Sequence, residues 1–346
     1  MYPTIQEAID DSAVGDVIDL AAGTYTESVT LDRDVSIRGV AGAQWNGSSG
    51  SSIIDQQNNA LILENLSLGN ASGNRRAVSI SEGGTLTAEG VTFNGVSTTA
   101  GGSITATDAA SIVIANSTFL GTAGVARATK GGAINAVSSG TVSLTDVTFD
   151  HVQSSVDGGA IYATNVDVTC IRCTFDGAST NGSGAAIYST GANLTVEQSL
   201  FCNGSSGSGN GGAIYGSSDA TIRSTRFVEN SAGNGAALYA TGGTWTVTNN
   251  HFLGNVGGAA LFAENTGTSL VAVNNLVYDN TGFGVAEGLG SAGITLRYNW
   301  FEGNTDGPTD GINVDITNIS GPVNADGEGI DLVDWSQDGD CGNDQL

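Results

Sequence analysis

Three sets of side chains in this chain could do chemistry. Tyr162, Tyr188, Tyr215 and Tyr239, followed by Phe262, recur about once every 26 residues. Rings repeated at one period can present an aromatic strip to a sugar ring or to another protein surface. A small basic group stands out in an acidic chain: Arg75 and Arg76, then Arg127 and Lys130, with His151 in the following loop. Such cations, with carboxylates such as Asp157 or Asp108 nearby, could bind an anionic glycan. The third set lies near the end: Asn324, Asp326, Glu328 and Asp331, then Asp334, Asp338, Asp340 and Asp344. Calcium takes about six to eight oxygen ligands of this kind, and Asp326, Glu328, Asp331, Asp338 and Asp340 are the candidate ligands. Their spacing does not match the EF-hand loop. No cofactor is expected beyond calcium. Each set also has a plainer reading: rings that pack on themselves to stabilise a sheet, solvated loop cations, and a solvated acidic linker.

The elements that must position these groups follow from a second period. Phe93, Phe119, Phe149, Phe175, Phe201, Phe227, Phe252 and Phe301 return about every 26 residues, with Val277 in the one gap. A ladder of Val78, Ile104, Ile134, Ile161, Ile187, Ile214, Leu238, Leu261 and Val285 runs in phase with them. One apolar residue at the same place in each period means one unit stacked on copies of itself, and no unit buries its apolar face alone. Within a period, short alternating runs such as Ala160-Ile161-Tyr162-Ala163, Val166 to Cys170 and Thr174-Phe175 read as strands. Clusters of Gly, Ser, Asn and Asp between them read as turns. The fold expected is all-β: a right-handed parallel β-helix of roughly eleven three-strand coils, with Ile37 and Leu68 as early register marks. At about 4.8 Å per coil the rod is roughly 50 Å long. Only Thr4 to Asp11 has helical periodicity, with Thr4 as N-cap and Ile5, Ala8 and Ile9 on one face. This helix is expected to cover the open N-terminal end of the stack. If Ile161 points inward, Tyr162 and its equivalents point outward. Asn230, Asn255, Asn280 and Asn304 fall in one column, and stacked amides of this kind bond from coil to coil.

The chain has 346 residues and a formal net charge of −25. That charge excludes nucleic acid and an anionic membrane surface as partners. No apolar run is long enough to span a bilayer, so no membrane insertion is expected. The repeat places residues 1–304 in one β-helix with its N-terminal cap. Residues 305–346 hold ten acidic residues and no Lys or Arg, and form an acidic cap or linker. The chain starts directly within the fold, as one whose leader has been removed would, and reads as a module of a longer protein. Two His on distant coils make no catalytic triad, and no phosphate-cradling Gly loop precedes a helix. Among Cys170, Cys173, Cys202 and Cys341, a clip between neighbouring coils, Cys173 with Cys202, competes with the local pair Cys170 with Cys173. Either fits an oxidising compartment.

The opening Tyr2 to Asp10, with Gly15-Asp16-Val17-Ile18 and Gly23-Thr24-Tyr25-Thr26-Glu27, resembles the start of pectin-lyase-like β-helix proteins. The repeats resemble those of bacterial polymorphic outer-membrane proteins, which combine GGA-I/L/V with F-x-x-N. Gly131-Gly132-Ala133-Ile134, Gly158-Gly159-Ala160-Ile161 and Gly211-Gly212-Ala213-Ile214 match the first element. Gly184-Ala185-Ala186-Ile187 and Gly235-Ala236-Ala237-Leu238 are near-matches. Phe227 with Asn230, Phe252 with Asn255 and Phe301 with Asn304 match the second. The resemblance covers about residues 93–304 and implies a secreted, surface-displayed or adhesive passenger, here without the C-terminal barrel of autotransporters. The function it implies is non-enzymatic: adhesion, binding of a surface glycan or protein, or rigid spacing, in an extracellular or cell-surface location. The alternative is a polysaccharide-active enzyme, a lyase or hydrolase of the pectin-lyase-like fold. Such lyases use an Arg or Lys base beside acids that hold calcium, here Arg76, Lys130 and Asp157.

Overall fold

The computed structural model describes residues 2–48, 52–69, 76–94, 102–109, 111–121, 128–138, 140–288, 293–310, 312 and 319–320. The chain winds as a parallel β-helix. Each coil contributes one strand to each of three sheets of 12, 13 and 12 strands, and neighbours within a sheet belong to successive coils. The first coil runs through Val17–Leu20, Gly23–Tyr25 and Val29–Leu31. The helix Ile5–Asp11 precedes it. Thr4 accepts from the Glu7 N–H as N-cap, and Ile5, Ala8 and Ile9 are buried. The Glu27 carboxylate accepts from the N–H groups of Ile5 and Gln6, which satisfies donors that every helix start leaves open.

The two apolar ladders are in register. In the second sheet Phe93, Phe119, Phe149, Phe175, Phe201, Phe227 and Phe252 pair coil to coil. Val277 stands between Phe252 and Phe301, as the spacing predicts. Their rings stack 4.4–5.0 Å apart, centroid to centroid. In the third sheet the ladder from Val78 to Val285 is likewise in register and buried. The early marks need one correction. Ile37 belongs to the first sheet, between Ile18 and Leu63. The aromatic ladder instead begins at Tyr25 and Trp45, below Leu68. The first coils are shorter than the later ones, so a fixed step misses them.

Corners are made by residues in the left-handed region. Asn65, Asn116, Asn165, Asn249 and Asn274 all have φ between 46° and 57°, a conformation that a short polar side chain tolerates. The Gly before each inward Ile is a stricter requirement. At Gly158 φ is 61°, and a Cβ would lie 2.3 Å from the Ile161 carbonyl oxygen. The Asn column is real: Nδ2 of Asn230, Asn255 and Asn280 donates to Oδ1 of Asn255, Asn280 and Asn304 at 2.9–3.0 Å. A second ladder, Asn250 to Asn275 to Asn299 at 3.0 and 2.9 Å, runs inside the corner between the first and second sheets.

Neither expected disulfide forms. Cys170 and Cys173 are free and buried, whereas Cys202 is disulfide-bonded. Cys170 lies inward in the first sheet beside Leu144 and Val196. Facing separates the other pair: Cys173 is buried in the corner with its Sγ near the Leu144 carbonyl oxygen. Cys202 follows the inward Phe201 in its strand and therefore points out of the second sheet.

Candidate functional site

The outer face of the third sheet carries the tyrosines. Its strands Ile161–Thr164, Ile187–Thr190, Ile214–Gly216, Leu238–Ala240 and Val256–Ala263 each place an aliphatic residue inward and the next residue outward. Tyr162, Tyr188, Tyr215, Tyr239 and Phe262 are therefore register partners on five successive coils. The column starts above Asn135 and ends below Ala286. Its rings stack at 4.9–5.5 Å with interplanar angles of 1–11°. Each ring thus occupies its neighbour's face, and a ligand meets edges and hydroxyls. Tyr239 is only 5% exposed; the other four rings are half-buried.

A polar column runs beside the rings. The stretch between the second and third sheets stacks as well: Ala128–Lys130 pairs with Ser154–Asp157, and bridges continue through Gln153, Ser179, Ser205, Ser231 and Val256. This places Lys130, Asp157, Ser183, Asn210 and Asn234, the residues just before the successive Gly-Gly or Gly-Ala pairs, one above another. Ser183 N–H donates to Asp157 Oδ1 at 3.0 Å, Asn210 N–H to Ser183 Oγ at 3.2 Å, and Asn234 N–H to Asn210 Oδ1 at 3.2 Å. Lys130 Nζ donates to the Tyr162 hydroxyl at 2.8 Å and lies 4.2 Å from the ring centroid, a cation–π contact. At the far end the Tyr239 hydroxyl donates to Glu264. Burial, with the Tyr215 and Asp157 charges behind it, pushes the Tyr188 phenol up to about 12. Burial and the Glu264 carboxylate raise Tyr239 in the same direction.

The predicted basic group is only partly assembled. Lys130 and Asp157 are register partners. Arg76 heads the strand Arg76–Ser81, two coils before Lys130 and so about 10 Å away along the axis. Asp108 sits at the corner after the third sheet. Arg75, Arg127 and the acids Asp326, Glu328, Asp331, Asp338 and Asp340 lie outside the described residues. The polar column and Glu264 escaped the sequence reading. The signal was available in the residue preceding each GGA-type tetrapeptide, which repeats with the motif.

No helix among the described residues is long and apolar enough to cross a membrane. Residues 159–338 match the family model described as "Right handed beta helix region". The crystal structure of tailspike protein 3 from bacteriophage CBA120 is similar, with a TM-score of 0.53 and 15% identity over 92% of this chain. The chain spans about half, 51%, of that tailspike chain. The catalytic unit of a thermostable GH87 alpha-1,3-glucanase from Streptomyces thermodiastaticus strain HF3-3 aligns with a TM-score of 0.42 and 15% identity, over 90% of this chain and 66% of that one. At such identities the likeness to the tailspike is one of fold alone. No curated protein matches the sequence.

Proposed function

The chain belongs to the right-handed β-helix family, and from that premise we propose that it is a non-enzymatic, secreted or cell-surface module that binds a surface glycan along the outer face of the third sheet. The observation that carries this reading is the tyrosine column with a hydrogen-bonding column beside it, one donor or acceptor per coil. Apolar ring edges beside spaced polar groups suit a sugar, which alternates C–H patches with hydroxyls. The likeness of the repeats to those of polymorphic outer-membrane proteins supports a surface location. Calcium at the acidic segment 305–346 belongs to the same proposal.

One contact favours the alternative of a polysaccharide-active enzyme. Lys130 donates to the Tyr162 hydroxyl, and its backbone is the register partner of Asp157, which places an amine, a phenol and a carboxylate on adjacent coils. A polysaccharide panel with calcium present, scored for retained protein and for shortened polymer, separates the two. The binding reading expects retention without shortening. Replacing Tyr162, Tyr188 and Tyr215 together by Phe keeps the stacking and removes three hydroxyls. At about 0.5–1.5 kcal/mol each, their loss weakens retention by tenfold or more. Unchanged affinity in this variant sinks the binding site proposed here. Polymer shortening that disappears in Lys130→Met supports the enzyme instead.

A further inference from the structure

The second sheet carries a different set of donors on its outer face, away from the tyrosines. Asp150 and Asp176 end the strands Thr148–Asp150 and Thr174–Asp176 and are register partners on adjacent coils. Both point outward because Phe149 and Phe175 point in. Two carboxylates at one strand spacing repel each other. The neighbouring coils avoid this, with Asn94 and Leu120 below and Cys202 and Val228 above in the same column. His151 follows Asp150 at the corner, and its N–H donates to the Asp176 carbonyl at 2.8 Å. The imidazole contacts Asp150 through Nδ1 and lies over Gly177. A Cβ at that glycine would stand 2.7 Å from Cδ2 and 2.9 Å from Nε2, so any other residue there would displace the ring from the carboxylates.

We infer that Asp150, His151 and Asp176 form a surface site for a divalent transition-metal ion of the zinc type. One ligand atom from each residue, an imidazole nitrogen and two carboxylate oxygens, lies within 4.8 Å of the other two. Zinc bonds such ligands at about 2.0–2.2 Å. The His151 and Asp150 side chains, 62% and 48% exposed, close that gap by small rotations. The backbone of all three residues is held by the coil-to-coil ladder, so the set is built on a rigid element. Asn203 on the next coil donates through Nδ2 to Asp176 Oδ1 at 3.1 Å, the kind of outer contact that orients a ligand. An imidazole excludes calcium, which takes oxygen ligands in larger number. One nitrogen and two oxygens suit zinc or cobalt, with a coordination position left for water. The site is independent of the glycan reading, since it lies on another sheet.

The test is a titration of the full chain with zinc chloride by calorimetry and with cobalt chloride by visible absorption, with circular dichroism to confirm the fold of each variant. One ion per chain is expected. His151→Ala and Asp176→Asn each abolish binding and the cobalt spectrum, and Asn203→Ala weakens binding about tenfold. Asp219→Asn, at an exposed acid elsewhere, leaves it unchanged. A full equivalent of zinc retained by His151→Ala, or calcium competing on equal terms, overturns the assignment and places the binding on the general acidic surface.

Discussion

Two aromatic columns run along this rod at nearly the same pitch, and they do opposite work. The phenylalanines of the second sheet stack at 4.4–5.0 Å inside the coil, and Phe93 to Phe252 are buried to 1% exposure or less. The tyrosines of the third sheet stack at 4.9–5.5 Å on its outer face, with two of their hydroxyls engaged by Lys130 and Glu264. The same coil repeat produced both. What differs is the strand of the coil and the face it presents: the Phe lies inward in the second sheet, and the Tyr follows an inward aliphatic residue and faces outward in the third. Stacking alone therefore says nothing about function; the polar groups around the outer column do.

The sharpest way to break this comparison is to remove one ring from each column. Phe175→Ala leaves a cavity in the closed core and costs about 3–5 kcal/mol. Tyr188→Ala forfeits two ring contacts at a wet surface and costs about 1–2 kcal/mol. Equal losses in urea unfolding would make the outer column part of the core. An intermediate effect is expected where the core is polar. Asn255→Ala strips the acceptor from both the N–H and the Nδ2 of Asn230, each bonded at 3.0 Å. Buried donors left alone cost about 2–3 kcal/mol together, so the melting temperature falls although no apolar contact is lost. The smallest effect separates the columns by pH. Burial lifts Tyr188 from 10.0 to about 12, so its neutral form is favoured in the folded state. That contribution is complete below pH 10 and is lost as pH rises from 10 toward 12. Tyr188→Phe should show a shallower loss of stability across that window, and a phenolate absorbance edge at the ordinary pH would remove the basis for this.

Both apolar ladders and the outward facing of Tyr162 were legible in the sequence. Strand alternation is local, and one aligned Phe per period carries the register over nine coils. The flanking column of Lys130, Asp157, Ser183, Asn210 and Asn234 was legible in principle from the residue before each Gly pair, but its residue types vary. The early coils were not, because Tyr25, Trp45 and Leu68 share a place that differs in residue type and in spacing. The cysteines misled for a related reason. Cys173 and Cys202 look adjacent when their distances to Phe are counted, yet the former is buried in the corner beside the Leu144 carbonyl and the latter lies beyond an inward Phe on the outer face.

By itself the sequence determined the period, the inward and outward residues of most coils and the acidic surface, because each depends on spacing along the chain or on composition. Only the tertiary structure decided which polar groups meet. Lys130 reaches the hydroxyl of Tyr162, on the next coil. His151 settles between two aspartates from neighbouring coils, because one corner residue takes a left-handed φ of 51° and the next coil offers a glycine beneath the ring. Such meetings are set by side-chain direction and by the gap a neighbouring coil leaves, quantities that a periodic sequence does not encode.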